Sequence, residues 1–213
     1  MSSSQNPEPK PSVESSIGTL RLVEYPHPAL FRKSKPLLRI DEGVRDAVEQ
    51  MFDIMYESHG VGLAANQVAL PYRMFVVNAT GDPNSGEELA FLNPILTRPR
   101  GTAIQEEGCL SIPGLRADVR RPQRVVVEAW SINGEPIRID LDGFLARVVQ
   151  HEFDHLEGRL FTDRLPDAAG LEVKRDLELL EDIYHGKQSR GELPSEDTIM
   201  AELDRLEDQR CKS

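Results

Sequence analysis

Gln150-His151-Glu152-Phe153-Asp154-His155-Leu156-Glu157-Gly158 holds two histidines four residues apart, with a glutamate directly after the first. Residues i and i+4 of an α-helix lie on the same face, so both imidazoles can reach one metal ion. Glu152 is rotated by about 100° from His151 around the helix axis. From there its carboxylate can act on water beside the metal without binding the metal itself. The stretch therefore predicts a helical metal site with a neighbouring acid–base group.

The residues around this stretch are typical of a buried helix. Asp142 is a candidate N-cap, and Gly158 is placed to end the helix. The apolar face between them is formed by Phe144, Leu145, Val148, Val149 and Leu156. The alternative is a core helix whose histidines only hydrogen-bond to the backbone. A catalytic metal site needs three protein ligands and one open position, so a third ligand elsewhere in the chain would favour the metal site.

Cys109 is the candidate third ligand. A free cysteine is by default a small buried hydrophobic residue, and from the residue alone that alternative stays open. Gly108 directly before it indicates an unusual or crowded backbone conformation. A cation held by two histidines would stabilise the thiolate, and one sulfur with two imidazoles leaves a tetrahedral corner open.

The segment from Gly60 to Val68 is rich in glycine and alanine, which allows another backbone to approach closely. It could be only a tight turn between a helix and a strand. Gln67 offers a neutral side-chain donor of the type that stabilises a developing oxyanion. We therefore treat Gln67 as a candidate catalytic residue.

Composition limits the classes of function. Hydrophobic residues make up 39% of the 213 residues, so we expect one core with solvated ends. The net charge of −11 argues against a nucleic-acid groove or an anionic membrane surface as the main partner. No apolar run approaches the roughly 18 residues of a membrane span, and the N-terminus lacks a secretory signal pattern. With only Cys109 and Cys211 as cysteines, a reducing cytoplasm is the predicted location.

The remaining pattern predicts an α+β fold, with short and mostly antiparallel strands packed around the central metal-binding helix. We predict strands at 19–25, 74–78, 88–93 and 98–106, and a hairpin of 124–130 with 136–140 around an Asn-Gly turn. Helices are expected at 41–58, capped by Asp41, at 171–184, and at 195–209, the last one exposed. The predicted organisation is a disordered segment 1–17, a catalytic domain 18–167 and an acidic helical extension 168–213.

Three stretches together resemble the signature motifs of the peptide deformylases, in order and in spacing. They are Gly60-Val-Gly-Leu-Ala-Ala-Asn-Gln67, Glu107-Gly-Cys-Leu-Ser111 and Gln150 to Gly158. The resemblance covers about Thr19 to Asp167. It implies a peptide deformylase-like fold and a hydrolase that removes the formyl group from the N-terminal formyl-methionine of newly synthesised polypeptides, releasing formate.

The resemblance also implies a role for individual residues. Cys109, His151 and His155 would bind one divalent metal. Glu152 would act as general base and then as general acid. The Gln67 side chain and the backbone N–H of Leu110 would hold the formyl oxygen.

The implied substrate-binding set is Val61, Gly62, Glu107 and Arg116. Main-chain groups at Val61 and Gly62 would pair with an extended peptide, and Arg116 would meet the peptide further along. The partners implied are nascent formyl-methionyl polypeptides and, transiently, the ribosome. The acidic extension lacks a basic stripe for ribosomal RNA, and its role is not predicted.

The identity of the metal follows from the resemblance rather than from the ligands. Cysteine and histidine ligands alone favour zinc. The family resemblance implies Fe²⁺, with Zn²⁺, Ni²⁺ or Co²⁺ as other occupants. Asp154 lies between the histidines but off the metal-facing side, and we hypothesise that it pairs with Arg121.

Two rival functions remain at this point. The first is a zinc peptidase, because such enzymes share the His-Glu-x-x-His pattern. It would cleave internal peptide bonds and take its third ligand from histidine or glutamate, which the setting of Cys109 argues against. The second is a metal-binding module without activity, which the complete set of candidate catalytic residues argues against.

Overall fold

The computed structural model describes residues 17–211. Except for Ile17, the predicted disordered segment 1–17 therefore lies outside the described residues. The described residues form seven strands, β1 (Gly62–Ala64), β2 (Met74–Val77), β3 (Leu89–Arg100), β4 (Ala103–Cys109), β5 (Ile112–Arg121), β6 (Arg124–Trp130) and β7 (Pro136–Asp142). The α-helices are α1 (Glu42–Glu57), α2 (Gly143–Leu156), α3 (Asp167–Ser189) and α4 (Glu196–Arg210), and single 3-10 turns lie at Pro28–Phe31, Ala65–Val68 and Phe161–Arg164.

The strands form two antiparallel sheets. One has five strands in the order β1-β2-β3-β6-β7, and the other is the hairpin of β4 and β5. Helix α2 buries its apolar face in one cluster with the larger sheet, where Val148 and Val149 pack with Phe75 and Phe91. The predicted α+β fold with a central helix is confirmed, and it places the histidine motif between the two sheets.

Helix α1 matches its prediction closely. Asp41 is the N-cap, and its carboxylate accepts a hydrogen bond from the backbone N–H of Val44 at 3.0 Å. This bond satisfies one of the donors that a helix leaves free at its first turn. The buried face of α1 is formed by Val44, Ala47, Val48, Met51 and Met55.

The start of α2 differs from its prediction in one detail. Asp142 occupies the N-cap position, but its side chain makes no capping hydrogen bond. Its carboxylate pairs instead with Arg124 at 2.6 Å across the β6–β7 pair. The N-terminal end of α2 is therefore less strongly stabilised than the sequence pattern suggests.

Gly158 ends α2 in the left-handed region, with φ of +69°, and its α-carbon lies against the backbone of Phe31. We expect Gly158→Ala to lower the free energy of unfolding by about 3 kcal/mol, because strain and a backbone clash add. Gly143 is the matched control, since its φ is +59° and an added Cβ would meet nothing within 4 Å. Gly143→Ala should cost only about 1 kcal/mol in denaturant unfolding. Equal losses for the two variants would contradict the role of the Phe31 contact.

The predicted strand at 19–25 is wrong. The backbone there is extended, but it makes single hydrogen bonds to different partners, from Val23 N to Gln67 O and from Tyr25 N to Ser111 O, each 2.8 Å. A ladder requires bonds to one neighbouring strand. The segment therefore joins two of the motif regions instead of forming a sheet.

The strand boundaries after residue 88 also differ from the prediction. The prediction had two strands separated by a break between 93 and 98, but one continuous strand, β3, runs through this region. Two irregularities in its register with β6 accommodate Asn93 and Arg98 at positive φ. The true break comes at Gly101, with φ of +67°. Strand β5 was missed, since its charged residues give no simple alternation of apolar and polar positions.

The last helix is not the exposed element that the sequence suggested. Ile199, Leu203 and Leu206 of α4 are buried, and Arg210 binds the carboxylate of Asp41 at 3.2 Å. Cys211 forms an isolated bridge with Leu37. The C-terminal extension is therefore docked on the segment that precedes α1. Within residues 17–211, no helix is long and apolar enough to span a membrane.

Candidate metal centre and active site

Cys109 precedes both histidines by more than 40 residues in the chain, and yet the three side chains come together. Cys109 is the last residue of β4, next to an irregularity in the pairing with β5. Its Sγ lies 3.3 Å from Nε2 of His155. One ligand atom from each of Cys109, His151 and His155 falls within 4.8 Å of the others. The predicted convergence of these three side chains is confirmed.

The surroundings of His155 fit a metal ligand. The residue is buried, and its Nδ1 has no hydrogen-bond partner among the described residues. Burial first, then the positive groups of His151 and Arg121, hold the pKa of His155 well below its usual value. The imidazole is therefore neutral at pH 7, which is the form that binds a divalent cation.

His151 is oriented by Glu107. The Nδ1 atom of His151 lies 2.9 Å from Oε2 of Glu107. Against the opposing effect of burial, hydrogen bonds with Cys109 and Glu107 raise the pKa of His151 to about 10, so the ring is protonated at pH 7 without a metal. A bound cation would take the place of the Nε2 proton, and the carboxylate would keep accepting from Nδ1. A carboxylate behind a ligating histidine both selects the tautomer and makes the ligand more basic. The thiol and two imidazoles, with the carboxylate behind His151, therefore fit one divalent metal ion of the kind that thiolate and imidazole ligands bind.

Glu107 had been placed in the substrate-binding set on the resemblance, and the structure gives its carboxylate other contacts. Besides His151, it binds Arg121 through two N–H groups at 2.6 and 2.8 Å, and Arg147 at 2.5 Å. Against the opposing effect of burial, the contacts with His151 and Arg121 hold the pKa of Glu107 at about 2. Its side chain is thus engaged in supporting the metal centre.

The hypothesised pair of Asp154 and Arg121 is confirmed. The guanidinium of Arg121 donates to Asp154 at 2.7 Å and to Glu107 on its other side. Arg121 is only 1% exposed, which makes it the largest fully buried side chain described. Arg164 donates to Asp154 as well, from a half-exposed position. A buried network of charges therefore connects β5 to α2 directly behind the histidines.

Glu152 lies on the inner side of α2, 4% exposed. Its Oε2 has no hydrogen-bond partner within residues 17–211. Burial raises the pKa of Glu152 to about 7, although the positive groups of His151 and Arg121 oppose the shift. A Cβ atom on Gly62 would lie 2.5 Å from Oε1 of Glu152, so glycine is needed there for close approach. A carboxyl group of this kind can both take and return a proton near neutral pH.

Gln67 is buried beside the cysteine. Its Oε1 accepts from the backbone N–H of Ala64 at 2.9 Å, which fixes the amide orientation. Its Nε2 then points to Sγ of Cys109 at 3.4 Å and to Oγ of Ser111 at 3.2 Å. The structure thus brings the donor of Gln67 to the metal centre. Ser111 was quoted only as part of a motif, and its contact with Gln67 was not foreseen.

A cavity of about 530 Å³ opens onto these groups. The predicted residues Val61, Gly62, Glu107, Leu110 and Arg116 all line it. Arg116 is mostly exposed and pairs with Glu106 at 3.5 Å. The cavity walls also include Phe144, Arg147 and Val148, one and two turns before His151 on α2. The sequence analysis used Phe144 and Val148 only as part of the apolar face of α2. It missed Arg147, because an arginine among apolar residues resembles a solvent-exposed position.

The family model for polypeptide deformylases matches residues 19–169. The chain belongs to the peptide deformylase family. It is 44% identical to a peptide deformylase of Rhodopirellula baltica over 180 residues, which cover 84% of this chain and 90% of the relative. It is 42% identical to the chloroplastic/mitochondrial peptide deformylase 1B of Arabidopsis thaliana over 183 residues, 85% of this chain and 66% of that protein.

Solved structures agree with this assignment to the peptide deformylases. The structure of Arabidopsis thaliana peptide deformylase 1B with an inhibitor has a TM-score of 0.76 at 42% identity and covers 83% of this chain and 96% of the other. The structure of peptide deformylase from Thermotoga maritima has a TM-score of 0.65 at 37% identity and covers 70% of this chain and 98% of the other. The fold is therefore that of a peptide deformylase.

Proposed function

We propose that this chain is a metal-dependent hydrolase that removes the formyl group from the N-terminal formyl-methionine of newly synthesised polypeptides and releases formate. The observation that carries the proposal is the meeting of Cys109, His151 and His155 beside the unpartnered carboxylate of Glu152. Membership of the peptide deformylase family gives this arrangement its substrate class.

A divalent cation held by Cys109, His151 and His155 would supply Lewis acidity, which acidifies water and polarises the formyl group. Glu152 takes the proton of the attacking water and later gives it to the departing amine. A pKa of about 7 suits both transfers, because the group is near balance between its two forms at neutral pH. The products are formate and a free amino terminus.

Gln67 and the backbone N–H of Leu110 are assigned to the oxygen of the formyl group. Support for Gln67 comes from its Nε2, which is held toward the metal centre by the Ala64 contact on the other end of the amide. Leu110 follows Cys109 and lines the cavity. Donors fixed in advance stabilise the negative oxygen without reorganising during the reaction.

Gln67→Ala should lower kcat by about 10²–10³-fold, because one such donor contributes about 3–4 kcal/mol to the barrier. The measurement is formate release at saturating peptide, with metal content and thermal unfolding recorded on the same sample. Those two controls matter because the substitution also removes the acceptor for Ala64 N. An unchanged kcat in a metal-loaded, folded variant would remove Gln67 from this role.

The substrate would lie along the outer edge of β1. Strand β1 is an edge strand, so main-chain groups at Val61 and Gly62 are placed to pair with an extended peptide. Arg116, on the cavity rim, would contact the peptide further from the formyl end. A formyl group carries only hydrogen beyond its carbonyl, so a narrow site admits it and rejects an acetyl group by size.

Fe²⁺ is the proposed metal in the cell, with Zn²⁺, Ni²⁺ or Co²⁺ as alternatives. The thiolate of Cys109 would make an iron site sensitive to oxygen. The proposed partners are nascent formyl-methionyl chains and, transiently, the ribosome. The net charge of −11 disfavours a nucleic-acid groove. Cytoplasm is the proposed location, and the organelle assignment of the plant relatives makes fractionation a necessary check.

The test is anaerobic purification with metal analysis, followed by formate release from a formyl-methionyl peptide. Cys109→Ala is the decisive variant, and we expect it to lose both the metal and the activity, since it removes one of three ligands. A fully active, metal-loaded Cys109→Ala protein would falsify the ligand assignment. Cleavage of an internal bond in an N-terminally blocked peptide would instead support the peptidase alternative.

A further inference from the structure

The metal ligands belong to two separate elements, and something must hold these elements at a fixed separation. Cys109 ends β4 of the two-stranded sheet, whereas His151 and His155 lie on α2. The hairpin and the larger sheet share no strand. Metal and catalytic sites tolerate displacements of only about 0.5 Å. The contacts between the hairpin and α2 therefore determine whether the three ligands meet.

Arg147 makes several of these contacts. It lies one turn before His151 on α2 and is 5% exposed. Its guanidinium donates to Gln105 Oε1 at 2.9 Å, Glu107 Oε1 at 2.5 Å, Val119 O at 3.0 Å and Ala103 O at 2.9 Å. All four acceptors belong to β4 or β5. One helix side chain thus binds both strands of the hairpin.

Arg121 makes the reciprocal connection. It lies on β5 and donates to Asp154 on α2 and to Glu107 on β4. One arginine therefore reaches from the helix to the hairpin, and the other from the hairpin to the helix. The planar guanidinium suits this task because its N–H groups are fixed in direction, so a small shift of either element lengthens several bonds at once.

The two arginines meet at Glu107. Its Oε1 accepts from Arg121 and Arg147, and its Oε2 accepts from Arg121 and from Nδ1 of His151. Arg121 alone supplies a bond to each oxygen. Arg147 adds a third hydrogen bond from a direction given by α2 itself, the helix that carries His151. The carboxylate is therefore located relative to α2, and not only relative to the hairpin.

We propose that Arg147 is a positioning residue for the metal centre. It clamps the β4–β5 hairpin to α2 and fixes the Glu107 carboxylate, so that Nε2 of His151 stays directed at the site shared with Cys109 and His155. This inference rests on the proposed function, because it assumes that the three ligands hold a metal. It assigns Arg147 no contact with the reacting atoms.

The test compares Arg147→Met with Arg210→Met. Arg210 is an equally buried arginine, 5% exposed, that binds Asp41 at the start of α1 and does not line the cavity. Each substitution takes a charged partner from a carboxylate, Glu107 or Asp41, so both variants are expected to be less stable than the wild type. The readouts are the affinity for Co²⁺ measured against a competing chelator, the rate of Co²⁺ release, and the visible absorption of the bound cobalt. None of them requires a substrate.

Arg147→Met should weaken Co²⁺ binding by about 10–100-fold and alter the cobalt spectrum, as loss of a residue behind the ligands does elsewhere. Arg210→Met should bind Co²⁺ like the wild type. Arg147→Lys is the substitute variant if Arg147→Met does not fold. Lysine keeps the positive charge but cannot donate to all four acceptors together, so this variant should also release Co²⁺ faster than the wild type. Wild-type affinity and release in the Arg147 variants, or the same loss in Arg210→Met, would overturn the proposal.

These outcomes are distinguishable from failure of the proposed function. A wild-type protein that binds Co²⁺ tightly but releases no formate would disprove the deformylase reaction and leave the role of Arg147 testable. A wild-type protein that binds no metal would end both proposals.

Discussion

Glu152→Gln should lower kcat by about 10²–10⁴-fold while the metal stays bound, because it removes the proton shuttle and no ligand. Glutamine has the shape of the glutamate side chain, so the 4% exposed site stays filled and Gly62 keeps its close contact. Glu152→Ala should likewise keep the metal and lose activity. The measurement is formate release together with metal content on the same preparation.

Glu157→Gln is the matched control for this substitution. Glu157 follows α2 and pairs with Arg73 and Lys33, outside the cavity. It should keep wild-type activity, apart from a small loss of stability. The assignment of Glu152 fails if Glu152→Gln retains wild-type turnover with a full complement of metal. Loss of the metal in Glu152→Gln would show that the carboxylate is a ligand or its support, and not the base.

Arg121→Leu should have the largest effect on stability, with about 3–5 kcal/mol lost from the free energy of unfolding. Removing a guanidinium that is 1% exposed leaves Glu107 short of two hydrogen bonds and Asp154 short of one. Glu107 keeps Arg147 and His151, and Asp154 keeps Arg164, but water cannot reach this buried site to replace the hydrogen bonds that Arg121 made. The measurement is urea unfolding of wild type and variant under one fixed metal condition.

Arg164→Leu provides the comparison. Arg164 also binds Asp154, but its side chain is 36% exposed and it makes no contact with Glu107. Its loss should cost about 1 kcal/mol, as is usual for pairs that water can replace. If Arg121→Leu and Arg164→Leu proved equally stable, the buried network would contribute no more than a surface pair. The role assigned to Arg121 would then be wrong.

Much of the candidate site could be predicted from local sequence, for identifiable reasons. The i, i+4 spacing of His151 and His155 requires a shared helix face, whatever the rest of the fold does. The Asn-Gly turn of the β6–β7 hairpin and the Asp41 cap depend on neighbouring residues only, and both were confirmed. The pairing of Asp154 with Arg121, a long-range contact proposed from their opposite charges, was confirmed too.

Elements that depend on distant partners were predicted poorly. Residues 19–25 have the composition of a strand, but their hydrogen bonds go to Gln67 and Ser111, which no local pattern encodes. Helix α4 reads as exposed because its apolar positions are sparse, and yet Leu203 is buried against the segment around Ala29. Short-range propensity gives way in both cases to contacts between segments far apart in the chain.

The chemistry of the candidate site can be read from the amino-acid sequence, because side-chain type and helix periodicity decide which atoms can hold a metal and which carboxylate stands beside it. What holds those atoms in position follows from the tertiary structure, apart from the predicted pair of Asp154 and Arg121. Glu107 stands behind His151, and Arg147 crosses from α2 to the hairpin. The reason is physical: a buried charge needs a partner, and the partner's position is set by how the sheets pack, which no spacing along the chain specifies.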